Sequence, residues 1–130
     1  MNIPKDLKYT TNDEWIRVEG DSGTVGISDY AQDQLSDIVF VDFLGAVGSS
    51  VAKGEAFASV ESVKAASDAY MPVDGEVLET NADLAAKPEA INSDPYGEAW
   101  LIKIKIADAS QLESLMDTAA YEKFCEERSH

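Results

Sequence analysis

Lys64 lies in Glu61-Ser62-Val63-Lys64-Ala65-Ala66-Ser67-Asp68, a run of small residues and carboxylates with a strand-like segment on each side. The chemistry open to it is set by its amine. With a reference pKa near ~10.4 that amine is charged, and it is a poor nucleophile unless it is desolvated. Glu61 and Asp68 favour the charged form, which opposes a Schiff-base role. The chemistry open to Lys64 is therefore done to it and not by it: acylation by an enzyme would attach a cofactor on a long, flexible arm. The ordinary alternative is a solvated surface lysine, one of eight in an acidic chain, and composition alone favours it.

Little else in the chain offers a reacting group. Cys125 is the only cysteine, so no intramolecular disulfide can form, and its spacing from Tyr121 and Phe124 reads as a buried thiol on a helix face. The only histidine, His130, is the C-terminal residue, where disorder is the default expectation. A Ser-His-Asp or Cys-His system thus has no internal base, and a His/Cys zinc site has too few ligands. Carboxylates abound, so counting does not exclude an acid pair of the glycosidase type. Nothing in the sequence places two of them in distinguishable environments.

The chain has 130 residues and a net charge of −15, with 10 Lys and Arg against 25 Asp and Glu. That size suits one domain, residues 1–130, and the 45% hydrophobic content suffices for a core. Nucleic acid and anionic membrane are poor partners for such a surface, and basic protein surfaces are good ones. A plainly solubilising acidic surface is an equal reading of the same charge. No apolar run approaches the ~20 residues of a membrane span. The N-terminal MNIPKDLKYT has neither signal-peptide nor transit-peptide character. The expectation is a cytoplasmic protein of bacterial type, or an already processed organellar form, and the charge suggests a monomer.

The elements that must hold Lys64 are mostly strands. Residues 7–27 read as two strands around a turn at Glu19–Gly23, Ser28 as the N-cap of a short helix to Leu35, and Ile38–Phe43 as a strand ended by Gly45 and Gly48. A strand to about Ser62 leads into Val63–Ala66, a hairpin-sized loop with Lys64 at its tip. Beyond it the pattern is strand, a tight Asp74-Gly75 turn, strand, with Pro72 marking an irregularity. Residues 81–100 form a long connection. In 100–106, Trp100, Ile102, Ile104 and Ile106 share one face and Leu101, Lys103 and Lys105 the other. About 108–127 is helical: Ser110 and Glu113 form a capping box, and Asp117 or Thr118 caps a second helix carrying Tyr121, Phe124 and Cys125. Gly48-x-x-Val51-x-x-Gly54 and Asn81-x-x-Leu84-x-x-Lys87 form a faint repeat about Lys64. The whole reads as mainly β, a small flattened sandwich or barrel with short peripheral helices and a helical C-terminus.

Glu61–Asp68 resembles the lipoylation segment of the glycine cleavage system H-protein family. Tyr9 with Asp13-Glu14-Trp15, Gly26–Gln32, Asp37–Val41, Asn92–Gly97 with Trp100-Leu101-Ile102, and Tyr121–Phe124 resemble further family segments in the same order. Asp13 departs from a usual histidine, Ser36 and Ala99 from common glycines, and Phe43-Leu44-Gly45 from a Leu-Pro type turn.

The resemblance implies a lipoyl/biotinyl-type β sandwich (a barrel-sandwich hybrid) and a carrier instead of an enzyme. It implies lipoic acid attached to Lys64 as N6-lipoyllysine, with Glu61 and Asp68 recognised by the lipoate-attaching enzyme or simply solubilising. It also implies an aminomethyl shuttle. The carrier takes the group from a pyridoxal-phosphate glycine decarboxylase (P-protein) to a tetrahydrofolate-dependent aminomethyltransferase (T-protein). Dihydrolipoamide dehydrogenase (L-protein) then reoxidises it. In the family the loaded arm folds back onto the carrier, and Glu14 is placed to receive its amine. The competing readings are a lipoyl domain of a 2-oxo acid dehydrogenase, which would lack Asn92–Gly97 and the C-terminal helices, and a biotin carrier, whose lysine is flanked by methionines where Val63 and Ala65 stand. A further one is an H-like lipoyl relay or an unmodified interaction module. The Asn92–Gly97 segment is expected to be structural, with Asn92 or Ser93 satisfying backbone groups in an Asx-type turn.

Overall fold

The computed structural model describes residues 2–128, so the reading of His130 lies outside the described residues. Among these residues the strands are β1 (Lys8–Tyr9), β2 (Glu14–Glu19), β3 (Ser22–Ile27), β4 (Ile38–Phe43), β5 (Ser50–Val51), β6 (Ala56–Ser62), β7 (Ala66–Tyr70), β8 (Gly75–Thr80) and β9 (Ile102–Ile106). Helices α1 (Asp29–Leu35), α2 (Ala90–Ser93) and α3 (Thr118–Arg128) lie at the margins, with 3-10 turns at Ala82–Ala85 and Ala109–Ser114. Two antiparallel sheets result, one of six strands in the order β1-β2-β3-β9-β8-β5 and one of three in the order β4-β6-β7. This is the expected mainly β flattened sandwich.

Alternating apolar side chains build the core. Ile16, Val25, Val41, Phe57, Val60, Met71, Val73, Leu101, Ile102 and Ile104 are buried in one cluster. A second cluster joins Leu7, Tyr9, Trp15, Tyr30, Tyr96, Tyr121 and Cys125, and here α3 docks by Tyr121 and Cys125, one turn apart. The Tyr9 and Tyr121 rings stack with centroids 4.4 Å apart. Cys125 is buried, as its helix-face spacing predicts. Opposite Trp15, a side chain at Gly26 would put its Cβ 2.7 Å from the indole, so the bulk of one residue requires the smallness of its cross-strand partner.

Several expectations are corrected. A short β1 pairs with β2, giving residues 7–27 three strands instead of two. Asp74-Gly75 is not a hairpin turn, because β7 and β8 belong to different sheets. The pair forms the corner where the chain changes sheet, and Gly75 is required because a Cβ there would lie 2.9 Å from the Lys105 carbonyl oxygen. Leu101, assigned to the polar face of its strand, is fully buried, because its side chain packs into the main core cluster. Ser110 caps nothing: the segment is a 3-10 turn capped by Asp108, whose carboxylate accepts the Ser110 N–H and O–H. The second cap is as expected, with Asp117 accepting the Ala120 N–H (2.8 Å). The faint repeat has no common geometry, since one copy holds β5 and the other a 3-10 turn.

Candidate functional site

Lys64 sits at the tip of the β6–β7 hairpin, as its spacing predicts, although Ala66 already belongs to β7. Ser62 builds the tip. Its N–H donates to the Ala65 carbonyl (2.7 Å), its hydroxyl donates to the same carbonyl (3.0 Å), and its oxygen accepts the N–H groups of Lys64 (3.2 Å) and Ala65 (3.0 Å). The Val63 N–H donates to the Asp37 carbonyl (3.0 Å), which ties the tip to the start of β4. The backbone of Lys64 is thus held while its side chain is exposed. The ammonium donates to the backbone carbonyl of Gln34 near the end of α1 (3.0 Å). An acylated lysine keeps one N–H, so this contact survives loss of the charge.

Beside the tip runs a groove of about 140 Å³ lined by Ile27, Ala31, Leu35, Val60 and Ala69 with the polar Asn12, Asp13, Gln34, Ser67 and Asp68. One wall is α1 and the other is β7, an edge strand with no strand neighbour beyond it among the described residues. A mostly apolar floor with polar walls suits an alkyl arm with a polar end. The α1 wall is fixed at both ends. Ser28 caps it, accepting the Ala31 N–H (3.2 Å) and bonding the Tyr121 hydroxyl (2.6 Å). Asn92 closes the other end, donating to Gln32 (2.9 Å) and to the Ser36 carbonyl (2.8 Å) while accepting the Ile38 N–H (2.8 Å). The Asn92–Gly97 segment is therefore a bracket across long range, and neither Asn92 nor Ser93 makes the expected Asx-type turn; the local side-chain acceptor is Asp94, which takes the Glu98 N–H (2.9 Å). The Pro95 carbonyl also accepts the Trp15 indole N–H (3.1 Å).

Glu61 is exposed and pairs across the sheet with the half-exposed Phe40, away from the groove. Asp68 is also exposed but forms part of the groove wall. Glu14 is 1% exposed. Its carboxylate accepts the Thr10 hydroxyl (2.6 Å) and the Tyr70 N–H (3.2 Å), and it borders a neighbouring pocket of about 220 Å³ that shares Asn12 with the groove. Burial pushes its pKa up to about 7 against the pull of these two hydrogen bonds, and nearby Asp13 adds to the rise. A carboxyl group so placed can hold or release a proton near neutral pH.

Asn12, Asp13, Gln34 and Ser62 were not singled out as site residues by sequence reasoning, except that Asp13 stood out as a departure. Their roles depend on contacts across tens of residues, and no local pattern encodes those. Only the Ser62 contact is short-range, and a serine two residues before the lysine was its available signal. Among the described residues no group of acidic, cysteine or histidine side chains is arranged to hold a metal ion.

Residues 7–128 match the family described as Glycine cleavage H-protein. The chain is 53% identical to the glycine cleavage system H protein of Halothermothrix orenii, over 98% of each chain. It is 61% identical to that of Bradyrhizobium diazoefficiens, over 87% of this chain and 92% of the relative. It is 50% identical to the mitochondrial glycine cleavage system H protein 2 of Arabidopsis thaliana, over 96% and 80%. The crystal structure of a glycine cleavage system H protein from Mycobacterium marinum superposes with a TM-score of 0.84 at 32% identity, covering 98% of this chain and all of that one. A buried carboxyl group, a hydrogen-bonded lysine tip and a groove between them thus occur in a chain that belongs to the glycine cleavage H-protein family.

Proposed function

We propose that Lys64 holds the lipoyl group as N6-lipoyllysine, and that the groove beside it receives the arm. Membership of the family makes the chain a non-catalytic lipoyl carrier of the glycine cleavage system, working with the P-, T- and L-proteins. The observation that supports Lys64 is geometric: its backbone is fixed by Ser62, its side chain is exposed, and the groove opens next to it. The attached group supplies a disulfide that accepts cargo and electrons and is restored by thiol–disulfide exchange.

The protein's own part is positioning. A tethered arm gives a high local concentration at each partner in turn. The −15 surface steers the carrier towards basic partner faces without slowing release. Glu61 and Asp68 flank the tip and give the lipoate-attaching enzyme two carboxylates to read. The groove walls exclude water from the arm's polar end, and Glu14 receives the amine of the aminomethyl cargo. Residues 1–130 act as one carrier domain, monomeric and cytoplasmic in this reading. Among the described residues no helix is long and apolar enough to cross a membrane.

The test is the intact mass of the protein made with lipoate and a lipoate-attaching enzyme, beside Lys64→Arg. A lipoyl increment on the wild type alone supports the assignment. An increment on both, or on neither, overturns it. The lipoylated wild type should also restore glycine–bicarbonate exchange to P-protein.

A further inference from the structure

Asp13 is one of two non-glycine residues among those described with positive φ, at 68°. Such a backbone is strained in a residue with a side chain and persists only where its surroundings fix it. The surroundings here come from the far end of the chain. The Asp13 carboxylate accepts from Arg128 at 2.5 and 3.1 Å and from the Tyr121 hydroxyl at 2.9 Å, and its carbonyl accepts the Ser28 N–H at 2.8 Å. The Arg128 guanidinium lies over the rings of Tyr30 (4.2 Å) and Phe124 (4.0 Å), so two aromatic contacts hold it besides the ion pair. The Thr10–Asp13 turn that this clamp holds also carries Asn12 into the groove wall. Its Thr10 hydroxyl oxygen accepts the N–H groups of Asn12 (3.2 Å) and Glu14 (3.1 Å).

We infer that Arg128 is a positioning residue for the arm: through Asp13, the last turn of α3 sets both the shape and the charge of the Asn12–Glu14 wall. The inference rests on the reading that the arm lies in this groove. Arg128 compensates a carboxylate that directly precedes the buried Glu14. Losing the arginine leaves that negative charge unbalanced, whereas losing the aspartate removes it. The two losses therefore act in opposite directions on Glu14, although both break the same ion pair. A contact that acted through shape alone would make them act alike, and the arm-dependent shifts separate a positioning role from a bare charge effect. The other titratable groups at the Glu14 pocket are Tyr9 and Lys53, and Tyr70 contributes its backbone N–H. Neither change removes any of these groups, although Tyr9 stacks on Tyr121, whose hydroxyl donates to Asp13.

The experiment uses Arg128→Gln, Arg128→Lys and Asp13→Asn, each first shown to melt cooperatively. The Glu14 carboxyl titration is followed by carbon-detected NMR in the unlipoylated proteins. Arg128→Gln should raise its midpoint, Asp13→Asn should lower it, and Arg128→Lys should stay near the wild type. The amide shifts of Asn12, Ser67 and Ala69 are then compared before and after lipoylation of Lys64, with modification checked by intact mass. The arm-dependent shifts should fall at least twofold in Arg128→Gln and be retained in Arg128→Lys. Wild-type behaviour of Arg128→Gln in both measurements would overturn the inference. So would midpoints that move in the same direction for Arg128→Gln and Asp13→Asn. If lipoylation leaves the wild-type groove amides unmoved, the groove reading itself fails and takes the positioning role with it.

Discussion

The backbone N–H of Tyr70, on the outer edge of β7, donates to the carboxylate of Glu14 at 3.2 Å across 56 residues of sequence. One buried carboxyl group thus satisfies a backbone N–H on the open side of β7, whose other side pairs with β6, at the base of the hairpin that carries Lys64. The bond couples β7 of the Lys64 hairpin to the turn at Thr10–Asp13.

That carboxyl group gives a pH dependence. Its folded pKa, near 7, lies above the unfolded value of 4.5. The contribution to stability is therefore complete below about pH 4.5 and is lost as pH rises through 7. Removing the ionisable proton removes the dependence. Relative to the wild type, Glu14→Gln should gain stability between pH 5 and pH 8. The gain is about 3 kcal/mol at most, at ~1.4 kcal/mol for each pH unit that separates the folded and unfolded pKa. Urea unfolding at the two pH values measures it. A constant gap between the proteins contradicts the assignment.

Ser36 ends α1 with φ 67° and ψ −150°, a conformation suited to glycine. Its backbone makes the hydrogen bonds to Gln32 and Asn92, and its side chain takes no part in them. Ser36→Gly should raise stability by about 1 kcal/mol, and Ser36→Ala should not. Thermal melts decide, and equal melting temperatures for the glycine variant and the wild type count against stored strain.

Ser62 fixes the tip without touching the lysine side chain. Ser62→Ala should slow lipoyl attachment several-fold while leaving the final extent unchanged. Its cost to stability should stay near ~1 kcal/mol, because the tip is exposed. A mass time course with the attaching enzyme checks the rate and a thermal melt checks the cost. An unchanged rate would show that the turn does not need the hydroxyl.

Gly26→Ala forces a Cβ against the Trp15 ring at 2.7 Å. The indole has no room to retreat, since its N–H is held by the Ile27 (3.0 Å) and Pro95 (3.1 Å) carbonyls. A loss of about 1–3 kcal/mol is expected in urea unfolding, with blunted near-ultraviolet circular dichroism from Trp15. A neutral change would mean that the tryptophan repacks freely.

Lys64, its hairpin, the helix capped by Ser28, the mainly β class and the buried face of α3 were all legible in the sequence. Each rests on neighbours within a few residues: a capping hydroxyl, an alternation of side chains, or a lysine between two strand-like runs. The tertiary structure decided the rest. Asp74-Gly75 is a strong local turn signal, yet the two sheets each claim one flanking strand and make it a corner. Leu101 falls on the polar side of a period-two pattern and is buried because its side chain joins the main core cluster. Asp13 meets Arg128 across 115 residues, and Asn92 meets Ile38 across 54. The energy of such contacts comes from burial and charge pairing, which chain spacing does not encode. Hence the lysine-tipped hairpin could be read in one dimension, while the groove beside it exists only in three.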